Sequence, residues 1–158
     1  MKILATSDTH GDVKPLEELV NRYANRVEIV LHMGDYSSDL LDLQPKYPWL
    51  TMVAVAGNMD YYGDDEKVLV LNGRKVFMSH GHFRGVKRGL SSLFYYAKEQ
   101  GVDVCLFGHT HFQEMFMREG ILFMNPGSLV EPRGGSRAGF GLIEISDEGE
   151  ISGEVLPW

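Results

Sequence analysis

The sequence predicts an α/β fold in which two mixed β-sheets pack face to face with helices outside, an α/β/β/α sandwich. Apolar strands alternate with helices in the first half of the chain, which favours parallel strands joined by right-handed crossovers. The second half shows hairpin signals between apolar strands. Polar clusters follow nearly every predicted strand, where open α/β sheets place their sites. At 158 residues, the chain is expected to form a single domain over 1–158.

Three strands and two helices are predicted in the first half. Apolar and β-branched runs indicate the strands, and leucine and valine at helical spacing indicate the first helix, which Asp12 can cap. The second helix ends before Pro45, because proline cannot continue a helix. The predicted strands cover 2–7, 27–33 and 51–56, and the predicted helices cover 13–26 and 38–44.

The second half is predicted to contain hairpins around one further helix. Asn72-Gly73 lies between two apolar runs, which is a strong hairpin signal. Similar turn signals stand at Arg118-Glu119-Gly120 and Asp147-Glu148-Gly149. The predicted strands cover 68–71, 75–78 and 103–107, and the predicted helix covers 86–99.

Composition excludes several classes of protein. The net charge of −7 argues against an extended surface for nucleic acid. No apolar stretch approaches the ~20 residues of a membrane span, and the first residues lack the apolar region of a signal peptide. The single cysteine, Cys105, lies in an apolar run and is expected to be a buried, inert thiol. These features predict a cytoplasmic protein.

Histidine, aspartate and asparagine concentrate in short clusters that contain glycine. Imidazole nitrogen together with carboxylate and amide oxygen suits first-row divalent metals, and glycine lets the backbone turn sharply beside an ion. These candidate ligands outnumber what one ion needs, so the sequence predicts two metal ions. The candidates are Asp8, His10, Asp35, Asn58, His80, His109 and His111.

Spacing within these clusters suggests how the ligands are used. Asp8 and His10 are two residues apart, so in an extended segment both side chains would leave the same face, and His109 and His111 repeat this spacing. Asp35 stands alone after its strand, which suits a carboxylate that bridges two ions. Asn58 can coordinate through its amide oxygen while its NH₂ group donates to a bound phosphate.

The clusters, taken in order, resemble the motifs of the calcineurin-like metallophosphoesterases. They read Asp-x-His, Gly-Asp, Gly-Asn-x-Asp, His-Gly-His and Gly-His-x-His, and the resemblance extends from residue 3 to about 145. The short chain and the segment Asn125-Pro126-Gly127-Ser128 resemble the small YfcE-type phosphodiesterase branch. The resemblance implies a metal-dependent phosphodiesterase that hydrolyses a small phosphodiester or nucleotide-like substrate. It implies two divalent ions, foremost Mn²⁺, with iron, zinc, nickel or cobalt as alternatives.

The same resemblance implies a role for each candidate ligand. Two ions ~3.5–4 Å apart would share a hydroxide, which attacks phosphorus while both ions neutralise the developing charge. Asp35 would bridge the two ions. The first ion would be held by Asp8, His10 and His111, and the second by Asn58, His80 and His109.

One position departs from the wider superfamily. Many members carry histidine after Gly-Asn, where it protonates the leaving oxygen, whereas this chain has Met59, whose thioether cannot donate a proton. General acid catalysis is typically worth ~10²–10⁴-fold, so the chain is predicted to favour good leaving groups. His82 is either a substitute acid or a neighbour that supports the metal ligands. The expected catalytic residues are therefore Asp35, Asn58 and His82.

Further polar residues are candidates for supporting or substrate-binding roles. Asp60 is expected to orient a metal-ligand histidine, with helix or turn capping as the alternative. Thr110 and Ser128 are candidates to face the phosphate, although the Ser128 segment also has the composition of a turn. Arg133 either clamps a phosphate or is solvated at the surface. His32, in an apolar strand, is expected to be a hydrogen-bonded core residue.

Two other functions remain open at this stage. The fold also resembles the retromer subunit that uses it for protein–protein contacts, so a binding scaffold is one alternative, and a phosphomonoesterase is another. Any aromatic or methionine side chains of Phe94-Tyr95-Tyr96 and Phe112–Met117 that stay outside the core would indicate a homo-oligomeric interface or a wall of the substrate pocket.

Overall fold

The computed structural model describes residues 1–158 and contains ten strands and three α-helices. Two short 3₁₀ helices lie at Gln44–Lys46 and Val86–Arg88. No helix is both long and apolar enough to cross a membrane. The elements are β1 (Lys2–Thr6), α1 (Val13–Tyr23), β2 (Ile29–His32), α2 (Ser38–Leu41), β3 (Thr51–Ala54), β4 (Glu66–Leu71), β5 (Arg74–Ser79), α3 (Ser91–Gln100), β6 (Val104–Leu106), β7 (Glu114–Arg118), β8 (Ile121–Asn125), β9 (Gly139–Ile145) and β10 (Ile151–Pro157).

The strands form two mixed five-stranded sheets. The first has the order β10-β9-β1-β2-β3, in which β1, β2 and β3 are parallel and β9 runs antiparallel to β1. The second has the order β4-β5-β6-β8-β7, in which β5, β6 and β8 are parallel and the two edge strands are antiparallel. The predicted fold class, two mixed sheets in an α/β fold, is confirmed.

Three apolar clusters fill the spaces between four layers. The first, which includes Leu31, Met78 and Leu106, lies between the two sheets. The second joins α1 and α2 to the outer face of the first sheet, and the third joins α3 to the outer face of the second sheet. Cys105 belongs to this third cluster, and its complete burial raises the pKa of the thiol, as expected of an inert core residue.

Two tight turns confirm the hairpins predicted around them. Asn72 and Gly73 both have positive φ, +47° and +78°, and so do Glu119 and Gly120, at +49° and +81°. Positive φ at both central residues is typical of the type I′ turn, whose twist matches that of the flanking strands.

The helices differ from the predictions, and α1 ends at Tyr23 rather than at residue 26. The helix expected over 86–99 is split into a 3₁₀ turn and α3, because Gly89 adopts φ +135° between them. The α2 helix ends at Leu41, and Pro45 lies in a separate 3₁₀ turn. The Asp12 side chain makes no capping hydrogen bond with α1.

The topology brings the polar clusters to one edge of the molecule. Parallel strands β1, β2 and β3 end side by side, and so do β5, β6 and β8 in the facing sheet. The predicted ligands follow these strand ends directly, so loops from both sheets converge there.

Candidate metal centre

Two groups of metal-ligand side chains lie at this edge and share one carboxylate. Within each group the ligand atoms lie within 4.8 Å of one another, and most of the side chains are buried. Asp35 is the only member of both groups. The first group is Asp8, His10, Asp35 and His111, and the second is Asp35, His80 and His109.

The first group is compact. His111 Nε2 lies 3.1 Å from His10 Nε2 and 3.2 Å from Asp8 Oδ1. His10 Nε2 lies 3.9 Å from Asp35 Oδ2, so the shared carboxylate closes the group.

The second group is built around His80. Its Nε2 atom lies 3.0 Å from His109 Nδ1 and 3.4 Å from Asp35 Oδ1. Asn58 Oδ1 lies 3.2 Å from the same nitrogen, so the asparagine predicted as a ligand stands at this group as well.

The protonation pattern of these side chains fits a pair of cations. His80 Nδ1 and His111 Nδ1 each lie 2.7 Å from a backbone carbonyl, of Met33 and Glu131. When Nδ1 donates to these carbonyls, the Nε2 lone pair of each ring points into the site. The buried Asp8 Oδ1 has no hydrogen-bond partner. Lone pairs therefore converge without hydrogens between them, an arrangement that bound cations would satisfy.

The ligand-bearing loops adopt unusual backbone geometry. Asp8, His10 and Asp35 have φ of +55°, +48° and +56°, and His109 and His111 have φ of +69° and +57°. The extended segments expected from the two-residue spacing are therefore wrong, since these residues adopt left-handed conformations. Asp8 and His10 lie in the same ligand group, whereas His109 and His111 lie in different groups. Non-glycine residues rarely hold this conformation, and such strain clusters at functional sites.

Close backbone approach at Gly57 leads to a specific prediction. A Cβ at this position would lie 2.2 Å from Asp35 Oδ1 and 2.4 Å from Asp35 N. Gly57→Ala is therefore expected to displace the Asp35 carboxylate and lower metal affinity at least about tenfold, because a ligand has lost its position. Calorimetric titration of Mn²⁺ into both proteins checks this. Wild-type affinity in the variant would show that the loop relaxes without moving Asp35.

Opposing charges set the ionisation of the carboxylates. Burial alone would raise the pKa of Asp35, but hydrogen bonding and attraction from His80 outweigh it and lower the pKa to about 2. Burial likewise acts to raise the pKa of Asp8, and contacts with His111, His80 and Ser7 bring the net shift below the ordinary value. Both carboxylates are thus ionised at neutral pH, as metal ligands must be.

The pKa values of the two histidines in the second group shift in opposite directions. Burial, and after it the charge of the neighbouring His80, lower the pKa of His109 to about 4. Burial also acts to lower the pKa of His80, but Asp35 and Asp8 outweigh it, so the net shift is upward. The raised pKa of His80 reflects the negative charge of the two carboxylates, which a bound cation would neutralise.

A buried hydrogen-bond network supports the first loop, and sequence reasoning missed most of it. His32 Nδ1 accepts from the Gly34 N–H at 3.1 Å, and His32 Nε2 lies 3.2 Å from Thr9 Oγ1. The Thr9 hydroxyl donates to Asp39 Oδ2 at 2.7 Å, which also accepts from the Gly11 N–H at 2.9 Å. The network fixes the backbone on both sides of His10. The expected hydrogen-bonded core histidine at position 32 is observed.

Full burial of His32 predicts a pH-dependent stability. Burial lowers its pKa from 6.5 to about 4, so the unfolded chain binds the extra proton first as pH falls. The stabilisation of the folded state by neutral His32 is complete above pH 6.5. Roughly 3 kcal/mol of it is lost as pH falls toward 4. We expect metal-free wild type to lose this much more free energy of unfolding between pH 7 and 4 than His32→Gln, as measured by urea denaturation. Parallel pH profiles would contradict the assignment.

The other predicted supporting residues take structural positions. Asp60 contacts no histidine: its carboxylate accepts hydrogen bonds from the Ser37 N–H and hydroxyl and from the Gly57 N–H, which ties the Asp35 and Asn58 loops together. Ser128 is fully buried, and its hydroxyl donates to the Asp8 carbonyl at 2.7 Å rather than facing the site.

The Thr110 and Arg133 side chains bond to other protein groups. The Thr110 hydroxyl accepts from Asn125 Nδ2 at 2.9 Å, which anchors the turn between the two histidines of its loop. Arg133 pairs with Glu131 on the surface at 3.1 Å. Neither makes a contact that by itself indicates phosphate binding.

His82 and Met59 flank the ligand groups. The His82 ring lies 5.4 Å from the His80 ring and 6.1 Å from the His109 ring, and its buried Nδ1 has no hydrogen-bond partner. Burial lowers the pKa of His82, and the neighbouring His80 lowers it further. Met59 is half exposed, and its N–H donates to Asp35 Oδ1 at 2.9 Å.

Comparison with sequence relatives identifies the family. The model of the calcineurin-like phosphoesterase superfamily domain matches residues 1–148. The probable metallophosphoesterase YsnB of Bacillus subtilis is 34% identical over 151 residues, which cover 94% of this chain and 86% of the relative. The phosphodiesterase YfcE of Escherichia coli is 25% identical, with 91% of this chain and 88% of YfcE covered.

Solved structures agree with the sequence relatives. A predicted phosphoesterase from Streptococcus pneumoniae is similar at a TM-score of 0.80 and 35% identity, with 92% of this chain and 83% of that chain covered. An archaeal phosphodiesterase is similar at a TM-score of 0.75 and 26% identity, with 99% of this chain and 100% of that chain covered. Vps29 of Entamoeba histolytica shares the fold at a TM-score of 0.77 and 24% identity, with 98% of this chain and 97% of that chain covered. The chain therefore belongs to the calcineurin-like phosphoesterase superfamily, and its relatives include the YfcE phosphodiesterase.

Proposed function

We propose that the protein is a metal-dependent phosphodiesterase that acts on small phosphodiesters at a dinuclear centre. The observation that carries this proposal is the pair of ligand groups that share Asp35. When bound, two divalent ions would supply the nucleophile and neutralise charge on the phosphoryl oxygens. Asp8, His10 and His111 would hold the first ion, and Asn58, His80 and His109 the second, with Asp35 between them.

The protein's own groups position the substrate. Asn58 Oδ1 points toward His80, which leaves the amide NH₂ to donate to a phosphoryl oxygen. Asp35 accepts from the Met59 N–H, so the loop that carries Asn58 is tied to the shared carboxylate. Binding of one ion and orientation of the phosphate are thereby coupled.

The site has no strong proton donor for the leaving group. Met59 cannot donate a proton, and the lowered pKa of His82 keeps its ring neutral near pH 7. A neutral His82 offers one N–H to a substrate oxygen but is a poor proton source. The proposed substrates are accordingly diesters with good leaving groups, such as aryl or activated esters.

Mn²⁺ is the proposed physiological metal, with iron, zinc, nickel and cobalt as alternatives. Mixed nitrogen and oxygen ligands suit all of these ions, and affinity follows the same order at most such sites. Reconstitution of the metal-stripped protein with each ion ranks them by activity.

Hydrolysis of bis(p-nitrophenyl) phosphate by metal-stripped protein tests the proposal. We expect turnover only after addition of a divalent ion, and a higher kcat/KM for this diester than for p-nitrophenyl phosphate. Faster hydrolysis of the monoester would favour a phosphomonoesterase. Tight metal binding without turnover of either ester would overturn the enzyme assignment.

A protein-binding scaffold is the second candidate function. The likeness to Vps29 and the absence of a histidine at position 59 favour it. Against it, all seven predicted ligand side chains are present and converge on one site.

A further inference from the structure

Exposed apolar side chains surround the metal centre. Four of the site loops place a large apolar residue directly after a residue of the site, and each of these residues is exposed. Tyr61 and Tyr62 follow in the Asn58 loop and are 95% and 90% exposed. Exposed apolar groups on several loops of one site are typical of a binding surface. The four pairs of a site residue and the exposed apolar residue after it are Asp35-Tyr36, Asn58-Met59, His82-Phe83 and His111-Phe112.

Two of these aromatic rings flank the two ligand groups. Phe83 is 71% exposed, and its ring centroid lies 4.0 Å from that of His82, which in turn neighbours His80. Tyr36 meets the His10 ring edge-on at 6.0 Å, on the side of the other group. A phosphate held between the groups would therefore have one aromatic ring toward each side.

Charge limits what can occupy the space beside Phe83. A cleft of about 590 Å³ lies there, within the range of small-molecule sites, and its lining includes Asp64, Asp65 and Glu66. Arg84 pairs with Glu66 at 2.6 Å, and Lys67 pairs with Asp64 at 2.7 Å, so Asp65 leaves the cleft negative. A second phosphate or a polynucleotide would be repelled, whereas a flat uncharged group would not.

We propose that Tyr36 and Phe83 are specificity-determining residues that receive a flat, uncharged group of the diester. This inference rests on the proposed phosphodiesterase function and narrows its substrate class to aryl or nucleobase-bearing diesters without a further phosphate. Bases and aryl groups stack on exposed aromatic rings, and loss of one such contact lowers binding about tenfold.

Two diesters with the same leaving group test this proposal. Methyl p-nitrophenyl phosphate and the p-nitrophenyl ester of thymidine 5′-phosphate both release p-nitrophenolate, so effects on the chemical step cancel in the ratio of their kcat/KM values. We expect wild type to prefer the thymidine ester, and Tyr36→Ala/Phe83→Ala to lower that ratio at least about tenfold. Each single variant shows which ring receives the base, and Phe83→Trp should keep the preference.

Controls separate this inference from the proposed function. Tyr95→Ala removes an aromatic ring on α3 that is nearly as exposed as Phe83 and lies outside the site loops, and this variant should keep the wild-type ratio. A wild-type ratio in the double variant, with metal-dependent hydrolysis intact, would overturn the specificity role alone and favour a protein partner for these rings. No hydrolysis of either diester by the metal-loaded wild type would overturn the proposed function and this inference together.

Discussion

Asp35→Asn is expected to remove metal-dependent hydrolysis almost completely, by more than about 100-fold in kcat/KM. Asp35 is the only side chain in both ligand groups, with Oδ1 3.4 Å from His80 and Oδ2 3.9 Å from His10. The substitution keeps the size of the side chain but removes the charge that would bridge two cations. Steady-state rates with bis(p-nitrophenyl) phosphate at saturating Mn²⁺ measure this effect.

An exposed aspartate provides the matched control. Asp147 lies in the turn before β10, away from the site loops, and Asp147→Asn makes the same chemical change there. We expect wild-type rates from this variant, and circular dichroism should show that both variants are folded. If Asp35→Asn retained more than about a tenth of the activity, a shared carboxylate would not be required.

Met59→His is expected to accelerate hydrolysis of alkyl phosphodiesters by about 10²-fold while changing nitrophenyl esters much less. Poor leaving groups need a proton and good ones do not, so a histidine at this half-exposed position helps only the former. The Met59 N–H bond to Asp35 is made by the backbone and survives the substitution. The measurement compares the acceleration of dimethyl phosphate hydrolysis with the accelerations of bis(p-nitrophenyl) phosphate and methyl p-nitrophenyl phosphate hydrolysis.

Met59→Gln controls for polarity at the same position, because its amide cannot act as a general acid near neutral pH. It should leave the alkyl diesters as slow as in wild type. Equal acceleration of alkyl and nitrophenyl esters by Met59→His would show that the histidine acts through metal or phosphate binding rather than through proton donation.

Sequence reasoning grouped the candidate ligands because their signals are local. Strand ends, turn residues and ligand types are all visible within a few positions, as at Asp8 and His10 or at Asn72-Gly73. The sheets also follow from alternating strands and helices, and the parallel strands then place their ends at one edge.

The supporting contacts could not be predicted because they join distant segments. Thr9 contacts both His32 and Asp39, and Ser37 donates to Asp60. Each of these contacts joins residues that are more than twenty positions apart. One signal for this network is present in the sequence: His32 is a polar residue in an apolar run, and a buried polar residue requires partners. Nothing local identifies those partners.

The backbone conformation of the ligand loops also could not be predicted from the sequence. An aspartate or histidine two residues from its partner indicates an extended segment as readily as a left-handed turn, and only tertiary packing selects φ of +55° at Asp8. Gly89 similarly divides a segment that has otherwise helical composition.

The number of ions bound by each chain tests the central claim most directly. Metal-stripped protein titrated with Mn²⁺ and measured by calorimetry and elemental analysis should bind two ions per chain, with a magnetically coupled pair in the low-temperature electron paramagnetic resonance spectrum. Asp35→Asn should lose the coupling. Saturation at a single ion per chain, or two ions without coupling, would contradict a dinuclear centre bridged by Asp35.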